Sequence, residues 1–311
     1  MYFPYMRGKQ YELLLLKEQA EFLHGKSIFP IIEPVKSNTA SLNRTLGALL
    51  KSDVKFTLVA NPYLGDYSNK ENKRIITDFV DGIIATNIGS MKLGIILTPE
   101  TILDEVQFLL KKYQQYPITL IHSGYPKADH IVDLIENNNI YAHVFMENLN
   151  SRIYRKKFTS TPKIIVSDGF VKRPNKEYPE IEHFSELLAT YDTEFDGFGD
   201  FLIVGSEYSD SGGPAYAVTI HLTYIDRDEE NDMFIKHYIS DRTNTSDDPA
   251  GKFFEALSKL VDDFENGIFE DTSALNEYKR LHNSEHYPGL GYVKKLSMQN
   301  HIEIIANHLG G

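Results

Sequence analysis

Several ionisable and hydroxyl side chains follow directly on apolar runs, and these residues are the ones able to do chemistry. Glu33 ends FPIIEPVK with Lys36 just beyond it, Asn61 ends KFTLVAN, His122 and Ser123 end PITLIHS, Glu147 and Asn148 follow YAHVFM, Asp168 lies in KIIVSDG, and Ser206 and Glu207 follow DFLIVG. A carboxylate at the end of an apolar run can be held out of water, which raises its pKa and suits it to proton transfer near neutral pH. Glu33 reads in two ways: as a general acid or base kept extended by Pro34, or as a structural carboxylate paired with Lys36 or Arg173. Asp168, followed by Gly169, reads as a metal ligand, a general base or a turn cap. His122, and His221 inside AVTIHLTY, are either neutral acid/base imidazoles or satisfied core residues. Glu33, His122, Asp168 and His221 form the candidate catalytic set. Asp200, after GFG and before a strand, is expected at the bottom face as a structural residue, and joins the set only if the strand starts later.

The segment GSEYSDSGGP (205–214) suggests anion binding. Its glycines, Gly212 and Gly213 among them, expose backbone N–H groups, and Ser206 adds a donor. Lys172 and Arg173, in FVKRPN, supply cations from the preceding loop, and Arg suits bidentate phosphate or carboxylate recognition. With Lys36 and Asn61 these make up the candidate substrate-binding set, while Glu207 and Asp210 oppose a simple phosphate cradle. Arg7 and Lys9 in YMRGKQYE would bind an anion at a barrel mouth and be structural at its bottom. No HExxH, GxSxG or GxxxxGK[ST] motif is present. A divalent metal is one option, held by Glu33, Asp168 and a histidine brought together in space; the sequence leaves any other cofactor unknown.

The elements that must position these residues are short β-rich runs separated by helical patterns. The runs are 27–35, 55–61, 92–98, 117–123, 141–147, 163–169, 200–206 and 215–224, most of them continuously apolar, as expected of parallel strands buried on both faces. Between them, segments such as 38–51 place Leu42, Leu46, Leu49 and Leu50 at helical spacing. Alternating strands and helices predict an α/β protein, a (β/α)8 TIM-like barrel irregular at strands seven and eight, with an open doubly wound sheet as the other option. MFIKHYIS (233–240) is expected to form a hairpin across DRDEEND, and a helix to follow at 249–265 with Asp247 or Asp248 as its cap. The reading is a single domain over 1–311, with a core at about 27–265 and a C-terminal extension, 266–311, that carries YPGLGYVKKL and docks on the barrel.

The chain of 311 residues is 41% hydrophobic and 24% charged, with a net charge of −12 and no cysteine. That acidity argues against a general nucleic-acid-binding surface, which needs Lys and Arg to displace counterions. The longest apolar run near the N-terminus is Leu13–Leu16, too short for a signal peptide, and no stretch approaches a membrane span. A cytoplasmic location is expected.

YFPYMRGKQYELLLLKE, PIIEPVK, VSDGFVKRPN, GFGDFLIVGSEYSDSGGPAYAVTIHLTY and YPGLGYVKKLSMQNHIE together resemble an uncharacterised bacterial family, itself similar to the phage-type "Beta protein" family. The resemblance spans nearly the whole chain. It implies a barrel-like fold and a bacterial or phage setting in mobile-element or defence clusters, and it assigns no reaction. Two functions are therefore expected to compete. One is a hydrolase acting on a phosphorylated or nucleotide-like anionic substrate. The other is a non-catalytic interaction or sensor module that meets a protein partner in a defence system.

Overall fold

The computed structural model describes residues 1–86, 89–210 and 216–310. The strands, in chain order, are β1 (Tyr5–Met6), β2 (Ile31–Ile32), β3 (Phe56–Val59), β4 (Met91–Leu97), β5 (Ile118–His122), β6 (Ile140–Met146), β7 (Lys163–Ser167), β8 (Ile181–Ser185), β9 (Gly197–Asp200), β10 (Thr219–Asp226) and β11 (Asp232–Ile239). The chain divides into two compact units, Met1–Ser167 with Tyr191–Asp200, and Asp168–Thr190 with Phe201–Gly311.

The first unit is a (β/α)8 barrel. Its eight strands run in the order β1-β2-β3-β4-β5-β6-β7-β9, and all neighbours are parallel. Closure comes from the residues just before β1: Tyr2 bridges Phe198, and Phe3 N–H donates to the Phe198 carbonyl at 2.7 Å. The seam is tight. A Cβ on Gly199 would sit 2.1 Å from the Phe3 carbonyl oxygen, so only glycine fits there.

The expected fold class is present, but the strand set is shifted by one at each end. β1 was not read as a strand, because two residues carry no periodicity. The last barrel strand is GFGD (197–200), not 200–206. The apolar residues after it form a single 3-10 turn, Leu202–Val204. Backbone packing at the seam selects glycines over apolar side chains, so hydropathy points to the wrong residues. The run 215–224 is not a barrel strand either. Its described part belongs to β10, in a three-stranded antiparallel sheet of order β10-β11-β8.

That sheet is the frame of the second unit. β10 and β11 form the expected hairpin, with Ile220 and Leu222 of β10 buried on one face and Thr223 buried on the other. The helices Pro249–Glu265, Ser273–Asn283 and Leu290–Leu309 follow. Asp248 caps the first by accepting from Gly251 N–H. Ile220, Leu222, Phe253, Leu257, Leu260 and Tyr278 form the centre of its apolar core. The C-terminal segment belongs to this unit: Asn300 Nδ2 donates to the Thr223 carbonyl, and Thr223 Oγ1 lies 2.9 Å from His301 Nδ1. Among the described residues, no helix is long and apolar enough to cross a membrane.

Candidate functional site

Side-chain direction in the barrel follows from contacts across it. Thr57 and Thr119 hydroxyls are 3.3 Å apart although β4 lies between their strands, so both point into the barrel. Gly94 faces the same interior, where a Cβ would meet Thr57, Val59 and Ile121. Strands alternate faces. Ile31 pairs with Thr57, and Tyr5 with Ile31, so Tyr5, Ile31 and Glu33 all lie on the inner face.

Glu33 therefore stands at the C-terminal end of the barrel interior, where barrel enzymes place their chemistry. It is only 1% exposed. Its Oε2 accepts from the Tyr5 hydroxyl at 2.9 Å, and its Oε1 is buried without a hydrogen bond. Burial pushes its pKa up to about 7, against the opposing pull of the Tyr5 hydroxyl, the Arg7 charge and the Tyr63 backbone N–H. The same burial, together with the Glu33 charge, raises the Tyr5 hydroxyl well above its usual range. Tyr63, 41% exposed, is the solvent-facing member of this group, and Ser123 lies close enough to lower its pKa. Arg7 follows β1, so of its two expected placements the structure shows the mouth. Glu12, in the helix Gln10–Glu18, caps that helix at the Lys9 N–H.

Other barrel candidates have structural roles. Asn61 pairs its side-chain amide with both backbone groups of Ile96, at 2.9 and 2.8 Å, and so extends the β3–β4 ladder. Lys36 lies 3.6 Å from Asp66 rather than pairing with Glu33. His122 corrects a larger expectation. Thr119 and Ile121 point inward, so alternation turns His122 outward, away from the mouth. There it is fully buried, with Nδ1 at 2.8 Å from the Tyr154 hydroxyl and Nε2 at 3.0 Å from His143 Nδ1. Phe145 stacks on it and Phe158 packs against it. Burial lowers the pKa of both histidines, His122 well below its usual value and His143 to about 4. Asp200 ends β9 and accepts from the Tyr2 hydroxyl at 2.7 Å.

The second unit gathers the remaining candidates. Asp168 accepts from the N–H groups of Phe170 and Ser206, at 3.1 and 2.7 Å. A carboxylate of the protein itself thus occupies the Ser206 N–H expected to hold a ligand. Gly169 serves close approach, since a Cβ there would clash with the Phe184 carbonyl oxygen. Gly212 and Gly213 lie outside the described residues. Lys172 pairs with Glu207 at 3.5 Å, and Arg173 with Glu182 at 2.5 Å.

Lys172, Arg173 and His221 line one cleft of about 790 Å³ with Lys176, Tyr178 and Lys294. The 170–178 segment is fixed beside β10. Asn175 Nδ2 donates to the Ala217 carbonyl at 2.7 Å, and Thr219 Oγ1 to the Asn175 carbonyl at 3.0 Å. His221 faces its cross-strand partner His237, with Nδ1 atoms 2.7 Å apart, and His237 Nε2 lies 3.0 Å from Glu182 Oε1. Since the carboxylate can only accept, His237 Nε2 carries a proton and its Nδ1 accepts from His221 Nδ1–H. His221 Nε2 is then a lone pair. Burial, then the neighbouring His237 and Lys294, keep His221 neutral by lowering its pKa well below the usual value.

Glu33 and His122 thus belong to the barrel, and Asp168 and His221 to the second unit. Sequence reasoning did not single out Tyr5 or Tyr63. Their only signal is the aromatic and basic cluster YFPYMR and the tyrosine after Asn61. Among the described residues, no group of three or more His, Asp or Glu side chains is placed to hold a metal ion. No protein-family model matches the chain, and neither does any curated protein.

Proposed function

We propose that the barrel is a hydrolytic acid/base enzyme acting on an anionic, phosphorylated or nucleotide-like substrate, with Glu33 as its proton-transferring group. The observation that carries this is the Glu33 carboxylate itself. It lies on the inner face at the C-terminal rim with one oxygen bonded to Tyr5 and the other buried without a hydrogen bond. Leaving a buried acceptor unsatisfied costs on the order of 1–3 kcal/mol, a cost that a purely structural residue would not carry. Arg7 supplies positive charge beside it for an anionic group of the substrate. A carboxyl titrating near neutrality can protonate a leaving group or take a proton from water.

The test is a turnover screen with p-nitrophenyl phosphate, bis-p-nitrophenyl phosphate and nucleotides. The expected result is activity that Glu33→Gln lowers by at least about 100-fold with no fall in melting temperature. Turnover that survives Glu33→Gln, or no turnover of any of these substrates, ends this reading.

A second reading, the non-catalytic interaction module of a defence system, has its own support in the barrel unit. Ile102, Phe108, Leu149 and Ile153 are 54%, 61%, 57% and 78% exposed, an unusual apolar display for segments following β4 and β6. The resemblance to phage-linked families points the same way. An inert barrel that forms a stable heterocomplex lost on Leu149→Asp with Ile153→Asp would favour it.

A further inference from the structure

We infer that the cleft of the second unit is a binding site for a nucleoside phosphate, its phosphate held by Lys172, Arg173, Lys176 and Lys294 and its hydroxyl or base N–H donating to His221 Nε2. This goes beyond the acid/base reading of Glu33 and rests on different residues.

Charge segregation is the first support. The chain has 44 acidic against 32 basic residues, yet four cationic side chains and no Asp or Glu line this cleft among the described residues. Lys172 is matched from outside the lining by Glu207, and Arg173 by Glu182. Lys176 makes no ion pair with any described residue. In a protein this acidic, a cluster of like charges in a concave site is stabilised by a bound anion.

The second support is the shape and the remaining chemistry of the cleft. About 790 Å³ is ample for a nucleotide-sized ligand and far more than an inorganic anion needs. Ile203, Val218, Leu290 and Val293 give it an apolar side suited to a base or sugar face. Tyr178 and Phe170 pack edge-on to His221 and fix its ring. The chain Arg173–Glu182–His237–His221 fixes the tautomer, leaving His221 Nε2, which makes no hydrogen bond to the described residues, as an acceptor. A site with several cations and one oriented acceptor recognises a ligand that carries both phosphate and a donor group.

Calorimetry with adenosine 5′-monophosphate, inorganic phosphate and adenosine tests this. The monophosphate should bind more tightly than either fragment. Lys176→Ala should weaken it by about ten-fold or more, while Lys51→Ala, an equal loss of charge on an exposed helix position of the barrel unit, should leave it unchanged. In the unaltered chain, the His221 and His237 ring resonances should shift on adding the monophosphate. No saturable binding at millimolar ligand, equal weakening by Lys51→Ala, or histidine resonances that do not move would each overturn the assignment. Binding of phosphate as tight as that of the monophosphate would overturn the nucleoside part.

Discussion

Two carboxylates, one in each unit, show how differently this chain treats the same functional group. Glu33 in the barrel and Glu182 in the second unit both lie at the end or within a short strand and are both desolvated. Around Glu33, burial prevails and the pKa rises to about 7. Around Glu182, burial pushes up, but the hydrogen bonds and charges of Arg173 and His237 overcome it and the pKa falls. The difference is the supply of charged donors in direct contact. Glu182 has a guanidinium and an imidazole on one oxygen, whereas Glu33 has a tyrosine hydroxyl and a more distant arginine charge. A carboxylate with its charge satisfied is an anchor, and Glu182 anchors a histidine. A carboxylate with its charge unsatisfied is free to exchange a proton, which is why the barrel, rather than the second unit, is assigned the acid/base chemistry.

The strongest way to break the comparison is to disturb the frame that holds Glu33. Gly199→Ala would place a Cβ against the Phe3 carbonyl, at the seam leading into Tyr5. It should destabilise the protein by at least about 3 kcal/mol in urea unfolding. Unchanged stability would mean that the barrel does not close through Phe3, and Tyr5 would lose its fixed place beside Glu33.

Glu33→Gln tests the sign of the burial effect. A carboxyl whose folded pKa is raised from 4.5 to about 7 keeps its proton in the folded state after the unfolded state has released it. Its protonated form therefore favours folding, and that stability is lost as pH climbs from about 4.5 through 7. Glutamine mimics the protonated form, so Glu33→Gln should exceed the natural chain in stability at pH 8 by up to about 3 kcal/mol, and match it at pH 4. The buried neutral histidines His122, His143, His221 and His237 act in the opposite sense, weakening the fold as pH drops below about 6.5. Only the difference between the two proteins isolates Glu33. A Glu33→Gln protein less stable at pH 8 would make Glu33 a structural anchor like Glu182.

Tyr5→Phe is a gentler probe. It removes the hydrogen bond from the Tyr5 hydroxyl to Glu33, costing about 1 kcal/mol, and should move the carboxyl pKa further upward because that bond favours the charged form. A pH–rate profile whose limb near 7 shifts to higher pH is the expected readout; a limb that stays put would mean another group sets it.

How much of this was legible beforehand depended on what each signal measures. Glu33 was visible because a lone carboxylate closing PIIEPVK has no ordinary reason to follow such an apolar run. Tyr5 and Arg7 were not placed because a two-residue strand leaves no periodic trace. His122 was misassigned because a strand end gives height in the barrel, while inward or outward facing depends on register. One residue of offset from Thr119 and Ile121 reverses its face. The sequence puts His221 with Glu33, His122 and Asp168, and Lys172 and Arg173 with Lys36 and Asn61, whereas the structure places Lys172, Arg173 and His221 around one cleft of the second unit. The apolar density of 215–224 reads as a barrel strand, although its described part belongs to an antiparallel sheet buried at Ile220, Leu222 and Thr223.

The smallest effect sharpens the other side of the comparison. If Glu182 is held down by its partners, removing one should release it in part. Arg173→Gln takes away a solvent-accessible guanidinium, so the stability change should be the smallest of the four. The electrostatic change is more telling. Arg173 lowers the His237 pKa by its charge, while Glu182 raises it. Without Arg173, the carboxylate acts on His237 alone, and both Glu182 and His237 should titrate higher. Proton NMR of the His237 ring across pH 4 to 8 reads this directly. A His237 titration unchanged by Arg173→Gln would mean that Glu182 owes its low pKa to some other contact. The Arg173–Glu182–His237–His221 chain would then be a set of neighbours rather than an electrostatically coupled unit.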